Sequence, residues 1–213
     1  MSADQRFVSR SGSLAFIGAG GHAKVAMEAW QSTGRDVRGF YEDVEAARVA
    51  PTSSWGTSLG EIRDALAEEG DLHVAIGDNA ARQRITAGSD DRRFPVVVHA
   101  SAILSPTAMI GAGTLVGMGA MIQASGVVGR HVIVNTGAIV EHDCHIDDFC
   151  HVAPGVRLAG RVRVGSGTLL GAGCVILPGI SVGSNAVVGA GAIVVRDIPA
   201  GAVVAGTPAR PLT

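Results

Sequence analysis

Leu104-Ser-Pro-Thr-Ala-Met-Ile110-Gly-Ala-Gly-Thr-Leu-Val116-Gly-Met-Gly-Ala-Met-Ile122 carries an aliphatic residue at every sixth position. The step runs on without a slip through Val128, Val134, Val140, Ile146, Val152, Leu158, Val164, Leu170, Ile176, Val182, Val188 and Val194, sixteen positions in all. Leu, Ile and Val together make up roughly a quarter of ordinary sequence, so chance does not produce such a run. Two residues before each aliphatic stands a small or β-branched residue, among them Ala108, Thr114, Ala120, Cys144, Cys150, Thr168 and Cys174. The residue after it favours glycine, at Gly111, Gly117, Gly129, Gly165, Gly171, Gly183 and Gly189. A tight turn with positive φ is expected at those glycines.

A six-residue period is neither helical nor simply alternating, and it fits a stacked solenoid of the parallel β-helix class. Each hexad supplies a short strand and a corner, and three hexads close one triangular coil. Residues 18 apart then stack, as Leu104, Ile122, Val140, Leu158, Ile176 and Val194 would. Each inward side chain contributes about 1.5–3 kcal/mol by leaving water. Ordering the chain opposes this, so several coils must stack before the balance is favourable. The composition agrees, with 47% hydrophobic residues, only 4% aromatic and 30 glycines. The three cysteines, Cys144, Cys150 and Cys174, fall at the small-residue position and read as buried packing groups. Neighbouring hexads face different ways, so no Cys144–Cys150 disulfide is expected. A net charge of −2 gives no footprint for nucleic acid or an anionic membrane. No apolar run is long enough for a membrane span; Met1 to Ser13 is polar, and the short, glycine-rich run Leu14–Gly21 reads as a strand and turn and not as a signal peptide. A cytoplasmic protein is the expectation.

Residues 1–93 differ in character from 94–213. Leu14–Gly18 reads as a buried strand, Lys24–Thr33 as a helix, Val37–Tyr41 as a second strand, Leu59–Glu69 as a helix, Leu72–Ile76 as a third strand and Ala80–Thr86 as a helix. Gly88–Arg93 reads as a linker. This alternation predicts a small Rossmann-like α/β domain with a parallel sheet. Gly18-Ala-Gly20-Gly21-His22-Ala23 is a glycine-rich turn opening a helix, with Glu42 and Asp43 about 20 residues on. Such a turn offers backbone N–H groups to a phosphate. The domain is short for a full dinucleotide fold, so a mononucleotide diphosphate fits better than NAD. A strand-to-helix turn without ligand is the alternative.

Four of the seven histidines, His131, His142, His145 and His151, fall within 21 residues. Glu141 stands at a glycine-favoured place in the repeat, which suggests selection for something other than folding. His142 follows it in the turn and is expected to project outward. Acyl transfer from a thioester to an amine calls for a base that titrates near neutrality, oriented by a carboxylate. Glu141 and Asp143 are both candidates for the carboxylate. His131 and His145 read as solvated turn residues.

Phe16-Ile-Gly-Ala-Gly-Gly-His22, Ala75-Ile-Gly-Asp78-Asn79, Phe94-Pro-Val-Val-Val-His99, Asn135 to His151 and Ala205-Gly-Thr-Pro-Ala-Arg210 together resemble the bacterial nucleotide-sugar acetyltransferases of the PglD/NeuD type. The resemblance implies a left-handed β-helix behind a nucleotide-sugar-binding domain, with acetyl-CoA as co-substrate and no metal. No two histidines have the spacing of the zinc site in β-helical carbonic anhydrases. His142 corresponds to the general base and Asp143 to its acidic partner. His151 corresponds to a histidine near the thioester, and Gly160 to a backbone N–H on the acetyl carbonyl. Ala172, Ala190 and Arg210 fall along the cofactor groove. Gly20, Gly21 and His22 match the nucleotide-sugar loop, with Asp43, Asp78 and Asn79 nearby. The family implies a homotrimer with a site shared between subunits. It also implies N-acetylation at C4 of a UDP- or GDP-linked 4-amino-4,6-dideoxy sugar, such as GDP-perosamine, for polysaccharide biosynthesis. Sugar O-acetylation of the sialic-acid type is the second reading. A non-catalytic β-helix binding module is the third, and it would leave His142, Asp143 and the glycine loop idle.

Overall fold

The computed structural model describes residues 12–43 and 57–212. In the front unit, strands β1 (Ser13–Ile17), β2 (Asp36–Tyr41), β3 (Ser58–Gly60) and β4 (Leu72–Val74) form a parallel sheet in the order β3-β2-β1-β4. Helices α1 (Gly21–Gln31), α2 (Ile62–Ala67) and α3 (Asn79–Thr86) lie between and after them. Strand β1 is central and covered on both faces, which explains its uninterrupted Leu-Ala-Phe-Ile sequence. Leu14 and Phe16 pack with Ala23, Ala26, Met27 and Trp30 of α1. Ala15 and Ile17 pack on the other side with Tyr41, Ala65, Leu72 and Phe94.

Two helix boundaries differ from expectation. Helix α1 begins three residues early, so Gly21 and His22 form its first turn behind Gly20. The single helix expected over Leu59–Glu69 is instead the edge strand β3 followed by the shorter α2. Gly60 adopts φ +145, which no helix contains, and a capping box of Glu61 and Asp64 starts α2 immediately after it.

From Val97 onward the chain coils as a parallel β-helix with three faces. Face 1 carries rungs Val97–Val98, Leu115–Val116, Ile133–Val134, His151–Val152, Leu169–Leu170, Val187–Val188 and Val203–Ala205. Face 2 runs from Ile103–Leu104 to Ile193–Val194, and face 3 from Met109–Ile110 to Ser181–Val182. Rungs pair in parallel at a spacing of 18, for example Ile139 with Arg157 and Val140 with Leu158. The expected aliphatic column is therefore the inner wall of face 2. The small-residue positions also point inward, and they satisfy polar groups as well as space. Thr114 Oγ1 donates to Gly129 O at 2.8 Å and Thr168 Oγ1 to Gly183 O at 2.7 Å. Cys144 and Cys150 Sγ reach Ala159 O and Gly165 O at 3.1 Å. All three cysteines are free and buried. Burial pushes the thiols of Cys150 and Cys174 up to about 12, so neither is a nucleophile.

The glycines following the aliphatic positions do not supply the positive φ expected of them. That conformation falls two residues later, at Gly113, Gly119 and Gly137 and also at Ser125, His131, Asp143, Phe149 and Arg161. The earlier glycines are required by close stacking: a Cβ on Gly171 would lie 2.6 Å from the Ala190 backbone nitrogen in the next coil. Only faces 1 and 3 use glycine in this way. The matching residues after face 2 are Ser105, Gln123, Glu141, Ala159, Leu177 and Val195, so Glu141 replaces no glycine. Gly171→Ala is expected to cost about 1–3 kcal/mol through overpacking and to lower Tm by several degrees in calorimetry. An unchanged melt would contradict the close-stacking explanation.

The last coil is two residues shorter, pairing Val188 with Val204 and bridging Val182 to Ile198. Val203–Ala205 then pairs antiparallel with Arg210–Pro211, so the tail covers the final edge of face 1. At the other end of face 1, the outward residues Val97, Leu115 and Ile133 are buried in the same core as α1 and β1. The front unit is seated directly on face 1. Among the described residues no helix is long and apolar enough to cross a membrane.

Candidate active site

Three corners connect the faces, and the expected site residues are divided among them. His142 and Gly160 stack on the corner from face 2 to face 3. The His142 ring is half-exposed, and its Nδ1 lies 2.7 Å from Asp143 Oδ2. Asp143 has φ +60, a left-handed turn that carries its carboxylate back beside the preceding ring. The structure thus selects Asp143 over Glu141 as the carboxylate on His142. An ionised carboxylate only accepts hydrogen bonds, so in the neutral ring a proton on Nδ1 would face Asp143 and leave Nε2 its lone pair. A Cβ on Gly160 would lie 2.5 Å from Nε2 and 2.6 Å from Cε1. The missing side chain is what leaves room around that nitrogen. The Gly160 N–H makes no backbone hydrogen bond among the described residues, and it belongs to the same corner as the His142 ring.

A second constellation lies where the front unit meets face 1. Gly20 and Gly21 would each point a Cβ into open space, so nothing among the described residues demands glycine over this helix start. His22 follows, its Nε2 buried and without a partner among the described residues. The His22 and His151 rings are 6.2 Å apart, and His151 Nε2 lies 3.2 Å from Asn135 Nδ2. His151 therefore sits beside His22 and the glycine turn, on a different face from His142. Asp43 is exposed at the end of β2, 3.4 Å from the Ile62 N–H. Neighbouring Glu42 has a buried oxygen without a partner among the described residues, and burial raises its carboxyl pKa. Asp78 caps α3, accepting from Ala81 N at 2.7 Å. Asn79 donates to Gly167 O at 2.9 Å, across to the β-helix.

Ala172 and Ala190 stack, exposed, on the corner from face 1 to face 2. Arg210 is exposed on the closing hairpin, and its side chain donates to its neighbour Ala209 O at 2.9 Å. His145 is outward and solvated as expected, 3.1 Å from Asp147. His131 is not: it is 1% exposed, stacked on Phe149 at 5.3 Å and edge-on to Phe94 at 5.0 Å. The solvated reading fails because this corner, from face 3 to face 1, lies under the front unit. Arg82, which no sequence motif marks, is 1% exposed at the same junction. Among the described residues no group of three or more His, Cys, Asp or Glu could hold a metal ion.

Burial holds His22 and His151 down to about 4 and His73 to about 3, with the charge of Arg82 adding in each case. The unfolded chain takes up these protons near 6.5, so between 6.5 and 4 it binds more protons than the folded one. Stability is therefore present above pH about 6.5 and lost as pH falls toward 4. Melts are expected to drop over that window, and His73→Phe to flatten the slope. A flat profile would contradict neutral buried imidazoles.

The PglD N-terminal domain family matches residues 13–88, and a hexapeptide repeat family described for succinyl-transferases matches 161–196. No curated protein sequence matches the chain. The acetyltransferase domain of PglB from Neisseria gonorrhoeae is 38% identical, covering 95% of this chain and 100% of that one, with TM-score 0.86. It has also been solved in complex with acetyl coenzyme A. GDP-perosamine N-acetyl transferase from Caulobacter crescentus, a histidine-to-alanine mutant in complex with CoA and GDP-perosamine, is 34% identical, covering 97% and 99%, with TM-score 0.86. WeeI from Acinetobacter baumannii shares the fold at 20% identity and TM-score 0.64, covering 93% and 99%. With both units matched in order and over nearly the whole length, the chain belongs to the PglD/NeuD-type family of hexapeptide-repeat acetyltransferases.

Proposed function

We propose that the protein moves the acetyl group of acetyl-CoA to the C4 amine of a nucleotide-linked 4-amino-4,6-dideoxy sugar, GDP-perosamine or a UDP-linked counterpart. The carrying observation is the His142–Asp143 pair at 2.7 Å with Nε2 facing Gly160. The amine nitrogen attacks the thioester carbonyl carbon. Nε2 takes the amine proton, and Asp143 steadies the resulting imidazolium. The Gly160 N–H suits the oxyanion. Collapse breaks the C–S bond, the thiolate leaves and is protonated to CoA, and the sugar amide remains. Relatives solved with GDP-perosamine and CoA support both substrates. His22 with the Gly20–Gly21 turn serves the nucleotide sugar, and Ala172, Ala190 and Arg210 line the CoA path.

The working assembly is a homotrimer. Within one subunit, His142 lies on the corner opposite face 1, where the front unit sits. At about 3.3 Å per residue, a six-residue side separates corners by up to roughly 20 Å. The outward residues of face 2 are Ile103, Met121, Ile139, Arg157, Val175 and Ile193, an apolar column broken once. Packing three copies through face 2 about a three-fold axis brings the His142 corner of one against the Ala172–Ala190 corner of the next. The next subunit's His22 and His151 lie just beyond it. Co-assembling His142→Ala with His22→Ala chains should then rebuild intact sites at random, restoring roughly a quarter of wild-type activity. No recovery on mixing would show that each site lies within one chain.

A further inference from the structure

Arg82 lies on α3 with 1% exposure and forms no ion pair with a carboxylate among the described residues. Its guanidinium donates only to neutral acceptors. Nε reaches His131 O at 3.0 Å. Nη1 reaches Ile76 O at 3.1 Å and Gly77 O at 3.0 Å. Nη2 reaches Asn79 Oδ1 at 2.8 Å, and Phe149 O and Cys150 O at 3.1 Å. Asn79 extends the set to Gly167 O and Thr168 O through Nδ2. His131, Phe149 and Gly167 are 18 apart, stacked on the corner from face 3 to face 1. All three have left-handed φ, of 52, 60 and 72. One face of α3 thus spans three successive coils by their carbonyls.

The other end of this contact reaches the glycine turn. Ile76 and Gly77 follow β4, and Ala75 N donates to Ile17 O at 2.8 Å. Gly18 passes so close that a Cβ there would lie 2.9 Å from Ile76 Cγ1. Two residues beyond Gly20 is His22, facing His151, and His151 is the residue after the Cys150 carbonyl that Arg82 holds. A buried cation without a counter-ion is costly, and a hydrophobic residue would make a simpler seam. The planar five-donor fork suits a task of fixing several carbonyls at once.

We propose that Arg82, with Asn79, is a positioning residue for the nucleotide sugar, holding the Gly18–His22 turn in register with the coil that carries His151. Asp78 and Asn79 then act as helix cap and tether and do not contact the nucleotide. This rests on the activity proposed above. The same guanidinium lowers the proton affinity of His22 and His151.

Arg82→Lys keeps the charge but cannot serve six acceptors. It is expected to raise KM for the nucleotide amino sugar about tenfold or more, the scale on which small misplacements register. KM for acetyl-CoA, bound at other corners, should stay within about twofold. Asn79→Ala, a milder change, should move the same constant in the same direction. In the unliganded protein, Arg82→Met should raise the pH at which the His22 and His151 Cε1–H signals titrate in NMR. A folded variant with the wild-type KM for the nucleotide sugar, a parallel rise in both KM values, or unmoved histidine titrations would overturn the assignment. Wild-type protein that turns over no nucleotide amino sugar refutes the proposed activity instead, and the NMR titration still decides the role of Arg82.

Discussion

Replacing His142 with alanine is expected to lower kcat by about 10²–10⁴-fold, the usual worth of a positioned general base. Both KM values should change little, because the imidazole acts on a proton that moves only during the reaction. His142 is half-exposed and outside the β-helix core, so Tm should not fall. Asp143→Asn should reduce kcat in the same direction, because an amide can reverse the tautomer and turn Nε2 into a donor. Thiol release at saturating substrates reads all of these. A His142→Ala protein with the wild-type kcat would mean that the amine loses its proton to water before attack.

Gly160→Ala should be nearly as damaging to catalysis. Its Cβ would overlap the base end of the His142 ring, 2.5 Å from Nε2. The ring is the far end of a side chain on an exposed corner, so it can swing away at little cost and leave Asp143 behind. The expected result is a kcat lower by about 10²-fold, the scale of a small misplacement of a catalytic group, with Tm within a few degrees of wild type. The same substitution at Gly171 meets Ala190 backbone, which cannot move, and there stability should fall while the distant base is untouched. Swapped outcomes at the two glycines would contradict the reasons given for both. A crystal structure of the Gly160→Ala protein with the His142–Asp143 contact intact would exclude the displacement.

The β-helix was legible because its order is translational. A residue's inward or outward sense depends on its place in the hexad, so Leu104 to Val194 could be assigned without three-dimensional information. What differs between faces was not legible. Glycine after the aliphatic position is used on faces 1 and 3 and not on face 2, so pooling the faces made Glu141 look like a replaced glycine, which it is not. The burial of His131 depends on the front unit lying over one corner, a contact between segments far apart in sequence. The apolar outward residues Val97, Leu115 and Ile133 carried that signal. His142 stood out in the histidine-rich stretch, but adjacency left its carboxylate open between Glu141 and Asp143, and only the left-handed turn at Asp143 shows which one it touches. Arg82 was not, because its partners are backbone carbonyls, which any sequence supplies. Asp78 and Asn79 stood out as a motif, but their local contacts, Asp78 accepting from Ala81 N and Asn79 donating to Gly167 O, carried no sequence signal.

The most direct test of the central claim is CoA thiol release from acetyl-CoA with a panel of GDP- and UDP-linked 4-amino-4,6-dideoxy sugars and their 4-hydroxy counterparts, with the products identified by mass and NMR. One thiol is expected for each amide formed at C4, with turnover confined to nucleotide-linked amines. Acetylation of the hydroxyl compounds alone, or no turnover of any acceptor together with no binding of acetyl-CoA, would contradict it.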